Sequence, residues 1–330
     1  MLIFKINILN VPIKAIVTQS VDDLVRCINL SSLLELSGWP KPGNVHRTKN
    51  FPNTRFEHFL AGIAAIQPNF KGFCETVYNS VKSEKESFSS IELGLFFKES
   101  ANQMMKWQSG GNVLLGHILI LAPLAAAATI CLKLNMKKIE NFESIIKKVI
   151  EDATVKDTVN LYDAIKICNP GGLGNIEKYD INDEKSYKDI INDNINLKKI
   201  FELSKEYDLI SNEYASGFNT ILKEGLPYFF DTYDKCKDIN STIVDTYLKL
   251  LSTHLDTLII RKAGKEAALN VSKIASDIIK YGGITTKKGL NLTVKFDKEL
   301  HKQNGKLNPG TIADLVAGTI FCVLIFGLKF

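Results

Sequence analysis

The sequence predicts an all-α protein: a multi-helix bundle around a buried central helix, with glycine- and proline-rich loops at helix ends. Three observations lead there. Apolar residues recur three and four apart along most of the chain, and Ser/Thr-x-x-Asp/Glu helix-start signals precede several of those runs. The stretch "VLLGHILILAPLAAAATICL" at 113–132 is apolar on every side, the pattern of a helix enclosed by its neighbours.

In chain order, Ser20 with Asp23 opens a helix carrying Val21, Leu24, Val25 and Ile28. Thr54 with Glu57 opens one carrying Phe56, Phe59, Leu60 and Ile63. Ser89 with Glu92 and Thr154 with Asp157 repeat the device. Then come "STIVDTYLKLLSTHLDTLII" (241–260), "KEAALNVSKIASDIIKY" closed by Gly282 and Gly283, and "TIADLVAGTIFCVLIFG" (311–327), opened by Thr311 with Asp314. "NLTVKF" (291–296) reads as a strand able to pair with the N-terminal "LIFKINI". The polar stretch 175–194 reads as a mobile excursion. Residues 1–19 are expected to form an extension, and 20–330 a single all-helical domain.

Composition narrows function. A chain of 330 residues with 45% hydrophobic and 23% charged residues can bury a large core. Its net charge of +5 is spread among both signs without a basic tract, so nucleic acid is not an expected partner and anionic small molecules are. Six scattered cysteines without a C-x-x-C pair argue against a zinc site or disulfide framework and fit the cytoplasm. The apolar run has lysines on one flank only (Lys133, Lys137, Lys138), which favours a core helix over a membrane span. Oligomeric state is left open.

Glycines and prolines mark the candidate site. "PKPGN" follows the first helix, "SGGN" precedes the buried one, "NPGGLG" follows Cys168 and "NPGT" precedes the last. A helix N-terminus offers unpaired N–H groups and partial positive charge, and glycine lets a phosphate approach them. Each turn can equally be a structural cap. On the first helix Ile28, Ser31, Ser32 and Glu35 share one face, which turns Glu35 inward beside Lys41, as a poised acid or base or as half of an ion pair. Arg261, Lys262 and Lys265 surround Gly264, a cluster suited to a polyphosphate or to a helix C-terminus.

Glu35 followed by "PKPGNV", the Gly-x-Asn turn before an alanine-rich helix, "DTLIIRKAG" and "NPGTIADLVA" resemble, in that order, the triphosphoribosyl-dephospho-CoA synthase family across roughly residues 20–326. The resemblance implies an all-helical transferase taking ATP and 3′-dephospho-CoA, releasing adenine and joining the triphosphoribosyl group to a ribose hydroxyl. It implies that Lys41, Gly43, His46 and Arg47 meet phosphate or ribose oxygens. Gly111, Asn112, Asn308, Gly310 and Asp314 would line the same cavity, with Arg261 and Lys262 on the nucleotide, all around one cationic hollow. Glu35, Asp256 and Asp314 become the candidates for offsetting charge on the sugar and accepting the hydroxyl proton, with Lys41 beside them. The same three carboxylates are the candidate Mg2+ ligands. Family members in bacteria carry Thr-His-Lys where this chain has Val113, Leu114 and Leu115. That departure opens two rivals: a cofactor-assembly enzyme acting on a phosphorylated ribose or pterin-type substrate, and a nucleotide-binding module without catalysis.

Overall fold

Ser20 accepts the Asp23 N–H at 3.1 Å and starts α1 (Val21–Ser37), as its spacing predicts. The computed structural model describes residues 15–171 and 177–330. Among them are fifteen α-helices, no sheet and one isolated β-bridge, between His46 and Lys49. Two of the expected helix starts move. Thr54 does not cap α2 (Phe56–Ser80): its hydroxyl donates to the Gly110 carbonyl at 2.9 Å, and His58 Nδ1 accepts the Arg55 N–H instead, at 3.1 Å. Ser89 begins only a single turn, 89–91, after which Glu92 in the left-handed region (φ 53°) redirects the chain into α3 (Leu93–Lys106).

The apolar run becomes α4 (Leu115–Lys133), the one helix among the described residues long and apolar enough to cross a bilayer. It is buried along nearly all its length, packed by α1, α2, α3, α5 (Ile139–Glu151) and α15 (Gly310–Ile325). α6 (Val155–Cys168) carries the predicted reciprocal cap, with Asp157 Oδ2 accepting the Thr154 N–H at 2.7 Å. The other oxygen of Asp157 accepts the Gly94 N–H at 2.8 Å, which ties α6 to α3.

The remaining helices are α7 (Lys185–Asn192), α8 (Leu197–Ser204), α9 (Leu209–Ser216), α10 (Leu226–Cys236), α11 (Ile239–Thr253), α12 (Thr257–Ala263), α13 (Lys265–Lys280) and α14 (Lys287–His301). A π-helical stretch, Thr220–Gly225, leads into α10. The polar segment 175–194 contributes α7 and a buried Tyr179, whose hydroxyl donates to Asp193 at 2.8 Å, so its described part is packed structure. The strand expected at 291–296 lies inside α14. Its buried residues Gly289, Thr293, Phe296, Asp297 and Leu300 are helically spaced, and that pattern outweighs the local β-propensity. "LIFKINI" lies outside the described residues. All six cysteines are unpaired thiols.

Candidate functional site

The helix expected over 241–260 breaks at His254–Asp256, and this break shapes the site. Asp256 accepts the Ile259 N–H at 3.0 Å, capping α12, and the Ile312 N–H at 2.8 Å, capping α15. One buried carboxylate therefore fastens two helix N-termini together. Burial pushes its carboxyl up to about 6, against the backbone N–H groups that favour the charged form. Thr311 and Asp314 form no capping box, because Asp256 has taken that task and Asp314 is left facing the cavity.

Between the start of α15, α1, the start of α4, and helices α6, α8, α9 and α12 lies a cavity of about 500 Å³. Of the residues predicted from sequence, Glu35, Asn112, Arg261, Asn308, Gly310 and Asp314 line it. Asn112 reaches it while its Oδ1 accepts the Leu115 N–H at 3.1 Å, closing the turn into α4. Asn308 Oδ1 is buried and has no donor. Gly310 and Leu258 touch so closely that a Cβ at position 310 would sit 2.7 Å from the leucine side chain.

Other predicted residues lie elsewhere. Lys41 is fully buried behind Glu35: its ammonium pairs with the carboxylate and donates to the Glu35 carbonyl at 2.8 Å. Gly43, at φ 74°, is needed for packing, since a Cβ there would meet the Leu307 carbonyl at 2.7 Å. Its N–H donates to Asp297 at 3.3 Å. His46 also turns to Asp297, at 3.3 Å, and His301 Nδ1 meets the same carboxylate at 2.9 Å. Burial alone would raise Asp297, but the bonds from His301 and His46 outweigh it and bring the carboxyl down to about 2. This trio is the one His/Asp group among the described residues with metal-ligand spacing, and it is outside the cavity.

Arg47 is exposed and latches the loop to the Ser37 carbonyl (2.6 Å) and Asn240 (2.7 Å). Lys262 Nζ points to the Gly305 carbonyl, 3.5 Å away, and Gly111 has open space around it but does not reach the cavity wall. The loop "PKPGN" is thus mainly a buried fastening: Lys41 turns to Glu35, and Asn44, which the sequence reading did not single out, is the loop residue that lines the hollow.

The expected cationic hollow is not what the fold builds. Among the described residues, four carboxylates, Glu35, Asp180, Asp208 and Asp314, line the cavity against the guanidinium of Arg261, itself bound to Asp208 at 2.9 Å. The sequence reading missed Asp208, although its Asp-x-x-Ser spacing to Ser211 announces a helix cap, made here at 2.9 Å. It also missed His117 as a site residue. His117 Nε2 stands 3.4 Å from Glu35 Oε2 and 3.7 Å from Asp314 Oδ1, joining the two carboxylates. A lone imidazole in an apolar run, one turn beyond the Gly-x-Asn turn, was the available signal.

The environments push these two acids apart. Burial disfavours charge on Glu35, but Lys41 and His117 outweigh it and hold the carboxyl below its ordinary range. Asp314 is raised well above its ordinary value by burial and by the charges of Glu35 and Asp256. Two neighbouring carboxyls, one biased toward its charged form and the other toward its protonated form, suit a reaction that both stabilises positive charge and moves a proton.

Comparison with known proteins follows the same line. The model of the family described as ATP:dephospho-CoA triphosphoribosyl transferase matches residues 21–329. A 2-(5''-triphosphoribosyl)-3'-dephosphocoenzyme-A synthase of Escherichia fergusonii is 32% identical over 109 residues, 33% of this chain and 35% of that protein. The match therefore spans about a third of that relative's length. A crystal structure from Archaeoglobus fulgidus, described as a candidate triphosphoribosyl-dephospho-CoA synthase, has the same fold, with a TM-score of 0.60 at 22% identity over 82% of this chain and 100% of that one.

Proposed function

Because the chain belongs to the family of ATP:dephospho-CoA triphosphoribosyl transferases, we propose that it moves the triphosphoribosyl group of ATP onto a hydroxyl of 3′-dephospho-CoA and releases adenine. The observation that carries this reading is Glu35, kept ionised on the cavity wall by Lys41 behind it and His117 beside it. As the bond from ribose C1 to the base nitrogen breaks, its electron pair leaves with adenine and positive charge grows on the sugar. A fixed carboxylate there lowers the barrier. The acceptor oxygen then bonds to C1, its proton passes to Glu35, and adenine takes up a proton as it departs.

Magnesium, when bound, would offset the charge of the triphosphate. The residues present fit it: Asp314 faces the cavity, where a cation would oppose the burial and the neighbouring negative charges that favour its protonated form, and Asn308 Oδ1 is a buried oxygen without a donor. Glu35 and Asp256 are already engaged, by Lys41 and by two backbone N–H groups, so neither is the ligand expected from the sequence.

A second reading, transfer to a different acceptor, is favoured by Val113 and Leu115, which present hydrocarbon to the cavity where the family pattern has polar groups. Incubation with ATP, magnesium and dephospho-CoA, followed by chromatography for free adenine, separates the two. Release that requires dephospho-CoA supports the first, release only with another acceptor supports the second, and tight ATP binding without release sinks both.

A further inference from the structure

The cavity has a wall that the proposed chemistry does not use. Leu161, Tyr162 and Ile165 of α6, Ile200 and Phe201 of α8, and Tyr179 present hydrocarbon and ring surface to it. The polar groups on this side are already satisfied. The Tyr162 hydroxyl donates to the Tyr179 carbonyl at 2.6 Å, and Ser204 Oγ donates to Ser211 Oγ at 2.8 Å. Ser211 Oγ in turn donates to Asp208 at 3.1 Å. No Lys or Arg stands among these residues, and the guanidinium of the lining, Arg261, is paired with Asp208 at 2.9 Å. A phosphate or a bare sugar against these side chains would exchange its hydration mainly for hydrocarbon. A flat, uncharged ring would exchange water for apolar surface and aromatic edges.

At the rim stands Tyr207, in the turn between α8 and α9. It lines the cavity, yet 54% of it is exposed. A large ring left in water beside an apolar wall is placed to cover a second ring lying against that wall.

We propose that this wall is a subsite for a planar, uncharged heteroaromatic ring carried by the acceptor, with Tyr207 as its outer stacking surface. The inference rests on the reading of the site as a ribosyl transferase and adds to it. For an acceptor of the dephospho-CoA kind the ring is the base next to the hydroxyl that reacts. Its diphosphate then points out of the cavity, away from the acidic lining.

Two measurements on the full chain test this. Calorimetric titration with adenosine, without ATP or magnesium, should show binding that weakens about tenfold in Tyr207→Ala and stays within about twofold of wild type in Tyr207→Phe. In the adenine-release assay, Tyr207→Ala should raise KM for dephospho-CoA by a similar factor and leave KM for ATP in place. Tyr207 is exposed, so its loss does not threaten the fold. Absence of adenosine binding, equal affinity in Tyr207→Ala, or a rise in KM for ATP alone would each overturn the proposal. Adenosine binding that depends on Tyr207, without any adenine release, would sink the transferase reading and leave the ring subsite standing.

Discussion

Lys41 and Glu35, six residues apart across the cis Trp39–Pro40 turn, form an ion pair sealed from solvent beneath the cavity. Such a pair is worth little against a hydrophobic substitute, but breaking one half of it is costly. Lys41→Met should therefore lower stability by about 3–5 kcal/mol, because a buried carboxylate is left uncompensated. Adding Glu35→Gln to that variant should recover much of the loss. Urea unfolding of the single and double variants checks this; equal stability of wild type and Lys41→Met would show that the pair is not closed in solution.

Asp256 yields a prediction in pH. Its carboxyl titrates at about 6 in the folded protein and near 3.8 when unfolded. Between those values the folded state holds the proton more tightly, so the contribution is most favourable below pH 4 and falls as pH rises through 4 to 6. The size is about 3 kcal/mol at full ionisation. Asp256→Asn cannot titrate and should show a flatter dependence of stability over that window than wild type. The comparison is the difference in unfolding free energy between the two proteins at pH 4, 5, 6 and 7; a difference that does not change with pH would contradict the burial argument.

How much of this was legible before folding depends on whether a residue's position followed from local spacing. Glu35 did, because i, i+3, i+4, i+7 fixes a helix face whatever packs on it, and the ordered cap of α6 did for the same reason. Asn112, Asn308 and Gly310 did because asparagine and glycine mark helix starts, and two of those starts meet at the cavity. Asp256 did not: its role appears only once the chain breaks between α11 and α12 and α15 arrives to share its carboxylate. Lys41 and His46 carried the right sign for binding anions, but their directions were set by partners far from local pattern, Glu35 on the preceding helix and Asp297 on α14. Sequence placed charge near the site and said little about which way it points.

The acidic lining gives a prediction in metal binding. Of the three carboxylates expected from the sequence, Glu35 and Asp256 are engaged, which leaves Asp314 to meet a cation, with the donorless oxygen of Asn308 also on the cavity wall. Asp314→Asn and Asn308→Ala should each weaken Mg2+ binding in the presence of ATP, by tenfold or more for the aspartate as an order-of-magnitude expectation for losing a charged ligand. Asp256→Asn should leave that affinity within a factor of about two, since its oxygens serve α12 and α15. Titration calorimetry reads all three; an Asp256→Asn variant that loses magnesium as fully as Asp314→Asn would return the metal to the place the sequence suggested.

Gly116 joins packing to chemistry most directly. It sits in the first turn of α4, and a Cβ built on it would run into the carboxylate of Asp314, well inside any real contact. The side chain of Asp314 therefore lies where any other residue at 116 would place a methyl group. Alanine has the better helix propensity, by about 1 kcal/mol, so Gly116→Ala offsets part of its steric cost locally and the fold should survive with a change of roughly 1–2 kcal/mol. What should not survive is the placement of Asp314: swinging it off α4 separates it from His117, now 3.7 Å away, and from the cavity. Adenine release is expected to fall at least about a hundredfold, in line with the cost of misplacing a group by an ångström, while the unfolding transition stays cooperative. Gly116→Ala with normal turnover would mean that Asp314 has no part in the reaction.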